Sequence, residues 1–186
     1  MCNPQGHETK KNTFLIFTDG SFDPRSRIGV GCKLALNTED CQNFKAADLK
    51  SLPFEIKDFD QTNAARLELQ TMLWALDSFA SELGAPQLTL YTDSKTAQGL
   101  LERRSKLQKT DYVSARQGIQ LANVDLYKEF FALYDRWKFE VVWLEGHTNR
   151  SDKNSTQILF SEVDQRARKA LRERLKSQNQ VADKWF

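Results

Sequence analysis

The run Phe14-Leu15-Ile16-Phe17 is too short and too free of polar alternation for a surface strand, and two residues later the chain meets an acid, Asp19. Such a run reads as a strand buried on both faces at the centre of a sheet. A central strand that delivers a carboxylate from its buried part calls for a partner, because an ionised carboxyl out of water is costly unless it is paired or binds a metal. The remaining question is which other acids the fold could bring to Asp19.

At 186 residues the chain fits one domain whose core needs no disulfide or metal staple. Its formal net charge of +2 says nothing about nucleic acid by itself. Cys2, Cys32 and Cys41 form no C-x-x-C pair, and the only histidines are His7 and His147. A zinc site is therefore not expected, and a reducing cytoplasm is the natural compartment. No apolar segment reaches the length needed to cross a bilayer, so no membrane partner is expected. The polar residues 1–11 read as a flexible tail, 12–178 as the folded domain and 179–186 as a C-terminal tail.

Turn material at Phe22 to Arg27 follows the first strand, and Ile28 to Leu36 resumes as a second strand, pairing with the first as an antiparallel hairpin. Between Asn37 and Gln61 the pieces Cys41 to Ala46 and Phe54 to Phe59 are strand-like, and the third strand is expected within this region. From Ala64 the period becomes helical. Ala65, Leu69, Met72, Leu76, Phe79 and Leu83 recur alternately four and three residues apart, and Gly84-Ala85-Pro86 should stop the helix. Glu68 sits beside that apolar stripe and would be held at the sheet face.

Gln87 to Thr92 reads as another buried strand, and it too ends in an acid, Asp93. Ser94 should cap a helix from Lys95 toward Arg103. Between Glu102 and Leu121 lies a basic stretch with Arg103, Arg104, Lys106, Lys109 and Arg116. A helix is expected over Val124–Trp137, a strand over Phe139–Leu144, and a last helix from Leu159 to Ser177 carrying Asp164 beside its inner face.

In an open sheet, neighbouring strand ends gather their terminal residues at one edge, and helices packed on the sheet bring side chains to the same place. Asp19, Glu68, Asp93 and Asp164 could meet there. Two carboxylates about 4 Å apart repel by roughly 4 kcal/mol at an effective dielectric of about 20, so four could not all stay ionised unaided. Divalent cations would resolve this. All-oxygen ligands favour Mg²⁺, with Mn²⁺ a plausible substitute, and a pair of such ions suits phosphodiester cleavage. Each acid alone also has an ordinary structural explanation, such as a hairpin turn at Asp19-Gly20 or a helix-dipole role for Asp164.

The ordered segments IFTDGS (Ile16–Ser21), ARLEL (Ala65–Leu69), LYTDSK (Leu90–Lys95), NVDLY (Asn123–Tyr127), WLEGH (Trp143–His147) and VDQRARKAL (Val163–Leu171) resemble ribonuclease H, bacterial type 1-like, across most of the chain. The resemblance implies an α/β fold, ribonuclease H-like, with a five-stranded mixed sheet, its first three strands antiparallel, flanked by helices. It further implies an endonuclease that cuts the RNA strand of RNA–DNA hybrids with two Mg²⁺ ions, leaving 5′-phosphate and 3′-hydroxyl ends. Separately from the resemblance, a monomer is expected. A DNA-cutting nuclease on the same fold and a catalytically silent hybrid-binding module are the alternatives.

By the same resemblance, Asp19 contacts both ions, Glu68 one ion and the substrate side, Asp93 the ion bearing the nucleophilic water, and Asp164 completes that shell. His147 assists proton transfer or product departure from a loop longer than in bacterial relatives. Backbone groups of Gly20 and Ser21 read 2′-hydroxyls, and Asn123 touches the nucleic-acid backbone. Asn63 stands five residues before Glu68, displaced from the family's minor-groove asparagine, with Ala64 and Ala65 between. The basic stretch, Arg103 to Arg116, matches the protrusion that binds DNA phosphates.

Overall fold

The computed structural model describes residues 13–79, 87–145 and 154–182. Its elements in chain order are β1 (Thr13–Asp23), β2 (Ile28–Asn37), α1 (Thr38–Asn43), a 3-10 turn (Ala46–Lys50), β3 (Glu55–Phe59), α2 (Ala64–Asp77), β4 (Gln87–Thr92), α3 (Lys95–Gln98), α4 (Leu100–Lys109), α5 (Val124–Trp137), β5 (Glu140–Trp143) and α6 (Ser155–Ala182). The sheet order is β3-β2-β1-β4-β5. β1, β2 and β3 are antiparallel, whereas β4 runs parallel to both β1 and β5. The fold is the mixed, ribonuclease H-like sheet that the sequence resemblance implies.

β1 is the central strand, and its alternation explains why it must be apolar on both sides. Ile16 faces a core with Leu69, Met72, Leu76, Leu90 and Phe130, built by α2 and α5. Phe17 faces the opposite core with Cys32, Leu34, Leu159, Phe160, Val163 and Ala167, built largely by α6. α2 lies so close to the sheet that glycine is required beneath it. A Cβ on Gly20 would stand 2.8 Å from Leu67 Cγ, and one on Gly31 would stand 2.4 Å from Thr71 Oγ1.

Several element boundaries differ from the periodicity reading, each for a local reason. Asp19 is not the end of β1. The ladder to β2 continues through Asp23↔Ile28, while the ladder to β4 stops at Phe17↔Tyr91, so the strand outruns one neighbour but not the other. The strand-like segment from Cys41 to Ala46 is instead partly α1, started by Asn37, whose side chain accepts from the Asp40 N–H at 2.7 Å. The third strand is β3, which falls within the second strand-like piece.

α2 ends at Asp77 rather than near Leu83. Ser78 Oγ donates to the Ala75 carbonyl at 2.6 Å, and Phe79 turns onto Phe14 with ring centroids 5.1 Å apart. The expected stop at Gly84-Ala85-Pro86 lies outside the described residues. The helix expected after Ser94 is split at Gly99 into α3 and α4. α6 begins at Ser155 rather than Leu159, because Asn154 and Gln157 cap each other reciprocally, each side-chain oxygen accepting the other's backbone N–H at 2.9 and 3.0 Å. It continues past Ser177 to Ala182. No helix among the described residues is long and apolar enough to cross a membrane.

Candidate active site

Where β1 outruns β4, the sheet parts, and the acids are found around that opening. Asp19 lies on β1 opposite Cys32, two residues beyond the last β1–β4 pair. Asp93 immediately follows β4 at Thr92. α2 leans on β1 through Leu67 and carries Glu68 into the same region. α6 packs on β1 and β2 through Val163 and brings the adjacent Asp164. A parallel pair at a sheet's centre, open at its carboxyl end, is where α/β proteins place ligands.

The electrostatics record the convergence. Asp19 is pushed from an ordinary 3.8 up to about 8, first by burial, then by the charges of Asp93 and Asp164, with a hydrogen bond between the Asp19 and Asp164 carboxyls adding to the rise. The Gly20 N–H, donating to Asp19 Oδ1 at 2.7 Å, opposes it. Glu68 is also raised, by burial and by the charge of Asp93, against the lowering effect of a hydrogen bond from Ser94. Asp19 therefore feels Asp93 and Asp164, and Glu68 feels Asp93, which links acids carried by or next to β1, α2, β4 and α6.

Glu68 and Asp164 each also have a partner in the protein. Ser94 Oγ donates to Glu68 Oε2 at 2.6 Å, and Arg168 Nε lies 2.6 Å from Asp164 Oδ1, one helical turn along α6. Among the described residues, no three His, Cys, Asp or Glu side chains are drawn together tightly enough to hold a metal ion. The donor set itself suits a hard divalent cation. It is all oxygen, carries excess negative charge, and includes two carboxyls whose raised proton affinity a cation would offset.

The other sequence-predicted residues are placed unevenly. Gly20 and Ser21 continue β1 just past Asp19, paired with Gly31 and Val30. Asn63 is exposed at the N-terminus of α2, where its side chain accepts from the Arg66 N–H at 3.0 Å and is thereby committed to capping. Asn123 is buried at the start of α5. His147 lies outside the described residues.

The basic stretch divides in two. Arg104 is held by Asp135 in a two-pronged pair of 2.7 and 2.6 Å and stacks over Phe131, while Arg103 donates to the Gly99 and Thr96 carbonyls. Lys106, Lys109 and Arg116 are exposed. Three further contacts around the acids have no clear signal in the sequence. They are the Ser94 bond to Glu68, the Trp143 indole N–H donating to the Asp93 carbonyl at 3.0 Å, and the ion pair of Arg66 with Asp125 that ties the starts of α2 and α5.

A family model described as RNase H matches residues 11–172. Among solved structures, LC9-RNase H1, a type 1 RNase H with the type 2 active-site motif, is similar with a TM-score of 0.63 and 14% identity, over 86% of this chain and 72% of that one. The foamy viral protease-reverse transcriptase in complex with double-stranded DNA is similar with a TM-score of 0.54 and 12% identity, over 82% of this chain and 93% of that one. The same viral protein in complex with an RNA/DNA hybrid gives 0.53 and 12%, over 74% of this chain and 18% of that one. At these identities the likeness is one of fold. No curated protein matches the chain.

Proposed function

The chain belongs to the RNase H family, matched from residue 11 to residue 172, and on that premise we propose that it is an endonuclease hydrolysing the RNA strand of RNA–DNA hybrids. The observation that carries this reading is the shared electrostatics of four acids from four elements, strongest in Asp19, whose carboxyl is raised to about 8 by burial and by Asp93 and Asp164. Asp19, Glu68, Asp93 and Asp164 would hold two Mg²⁺ ions, for which Mn²⁺ can substitute. When bound, such ions supply a water activated at neutral pH and stabilise charge on the phosphate and the leaving oxygen, giving 5′-phosphate and 3′-hydroxyl ends.

The protein's own groups do the rest. Ser94 orients Glu68, and Gly20, lacking a side chain, lets Leu67 of α2 pack against the strand beside Asp19. Backbone groups at Gly20 and Ser21 would meet 2′-hydroxyls, the groups that distinguish RNA from DNA. Lys106, Lys109 and Arg116 would take DNA-strand phosphates and Asn123 would touch the nucleic-acid backbone, whereas the Asn63 side chain, displaced from the minor-groove position, is occupied in capping α2. His147 would move a proton or help product leave. We place these functions in one catalytic domain over 12–178, acting as a monomer in the cytoplasm.

A labelled RNA–DNA hybrid incubated with Mg²⁺ tests the proposal, with single-stranded RNA, duplex RNA and duplex DNA as controls. The expected result is hybrid-specific RNA cleavage that Asp19→Asn abolishes. Faster cutting of duplex DNA would assign the site to a DNA nuclease. Hybrid binding without turnover in either Mg²⁺ or Mn²⁺ would make the protein a binding module.

A further inference from the structure

The peptide unit joining Asp93 to Ser94 is held at both of its polar ends. Its carbonyl accepts the Trp143 indole N–H at 3.0 Å, and its N–H donates to Thr92 Oγ1 at 3.1 Å. A peptide is rigid and planar, so fixing the oxygen at one end and the hydrogen at the other fixes the orientation of the whole unit. Two site side chains leave from that plane: the Asp93 carboxylate, whose charge acts on Asp19 and Glu68, and the Ser94 hydroxyl, which donates to Glu68. A rotation of this one unit would displace both.

Trp143 is suited to the task by its position. It is the last residue of β5, and the next residue, Leu144, donates its N–H to the Thr92 carbonyl at 2.8 Å. The β4–β5 ladder therefore continues one bond past its paired residues, and the indole adds a further bond beyond that, reaching a carbonyl that no strand is left to pair. Lys95 Nζ lies 5.4 Å from the ring centroid and holds the indole from its face. Trp137 gives the contrast: it is buried in α5 and its indole nitrogen has no hydrogen-bond partner.

We propose that Trp143 is a positioning residue of the site, clamping the Asp93–Ser94 peptide so that Asp93 and, through Ser94, Glu68 are presented together to divalent ions. The inference rests on the nuclease reading above. It assigns Trp143 no contact with substrate. Its loss should therefore appear in ion affinity and turnover and leave the KM for hybrid unchanged.

The test compares Trp143→Phe, which keeps an aromatic ring and removes the N–H, with Thr92→Val, which removes the acceptor at the other end of the peptide. Trp137→Phe serves as the control. Mn²⁺ binding is measured calorimetrically without substrate, and kcat and KM are measured on a hybrid. The expected result is a loss of about tenfold to a hundredfold in Mn²⁺ affinity and in kcat for both Trp143→Phe and Thr92→Val, with KM little changed; Thr92→Val, which orphans the buried Ser94 N–H, should also lower the ion-free thermal midpoint. Trp137→Phe should match the wild type.

If Trp143→Phe does not fold, Thr92→Val alone decides. Wild-type Mn²⁺ affinity and kcat in the folded variants overturn the clamp while leaving the nuclease reading intact. A wild-type protein that neither binds Mn²⁺ nor cuts hybrid overturns both.

Discussion

Ser94 hydrogen-bonds in two directions through one oxygen: Oγ accepts the Ala97 N–H at 3.3 Å, capping α3, and donates to Glu68 Oε2 at 2.6 Å. The residue is buried, so neither bond is readily replaced by water. A helix start on one strand end is thereby joined to an acid on a different helix.

Ser94→Ala should therefore damage stability and activity together. Loss of the cap costs about 1 kcal/mol, read as a lower denaturation midpoint. Glu68, without its donor, should lose its fixed direction, and kcat on the hybrid should fall by about tenfold. Ser94→Thr, which retains the hydroxyl, should recover more activity than Ser94→Ala.

Asp19 makes the ion-free protein less stable as pH rises. An aspartate carboxyl ordinarily titrates at 3.8, whereas that of Asp19 titrates near 8 in the folded protein, so between those values the folded chain keeps a proton that the unfolded chain has released. This contribution is fully present below the lower value and is lost as pH climbs through the upper one. Glu68, also raised, adds with the same sign. In chelator, Asp19→Asn should be more stable than wild type by on the order of a few kcal/mol at about pH 8.5 and by much less at about pH 4. Urea denaturation at the two values measures it, and equal wild-type and variant stability at the higher pH would contradict the raised carboxyl.

Divalent ions should reverse that penalty. A ligand bound only by the folded state adds about 2.7 kcal/mol when its concentration is about a hundred times its dissociation constant. Mg²⁺ should therefore raise the thermal midpoint of the wild type near neutral pH and leave that of Asp19→Asn almost unmoved. Melts in chelator and in saturating Mg²⁺ give the comparison.

Gly31 should tolerate no side chain while Thr71 faces it. Its added Cβ would stand 2.4 Å from Thr71 Oγ1 and 2.9 Å from Thr71 Cγ2. Gly31→Ala should cost about 1–3 kcal/mol through overpacking. Thr71→Ala in the same chain removes both colliding atoms and should restore part of the loss.

The basic stretch should separate into binding and structural positions. Lys106→Ala and Lys109→Ala are expected to weaken hybrid binding, each reducing the salt dependence by about one unit of slope, without moving the denaturation midpoint. Arg104→Ala should do the reverse, since its guanidinium is already occupied by Asp135 and by the face of Phe131.

What could be read from the amino acids was what depends on period and order. Val124–Trp137 has an apolar stripe that predicts α5, and uniform burial of Ile16 and Phe17 on opposite faces follows from an unalternating run. The four acids could be collected because each stands at or beside such an element. Less legible was anything set by where one element stops relative to another. Asp19 could not be seen to lie within its strand, since that depends on β2 pairing further along β1 than β4 does. α1 was obscured because Cys41 and Phe44 suit a strand as well as a helix, although Asn37 three residues before Asp40 is a capping signal. The Trp143 bond depends on how far β5 runs beside β4, which no local pattern encodes.

The central strand and the last helix have a joint consequence for how the molecule comes into being. Asp19 is among the first described residues and Asp164 among the last, and the face α6 presents to β1 and β2 brings them together. β5 ends at Trp143 and α6 begins at Ser155, so the sheet and the helix that covers it are completed by neighbouring parts of the chain. On the reading proposed above, a molecule whose last helix is undocked would hold only three of the four acids and would not cut hybrid.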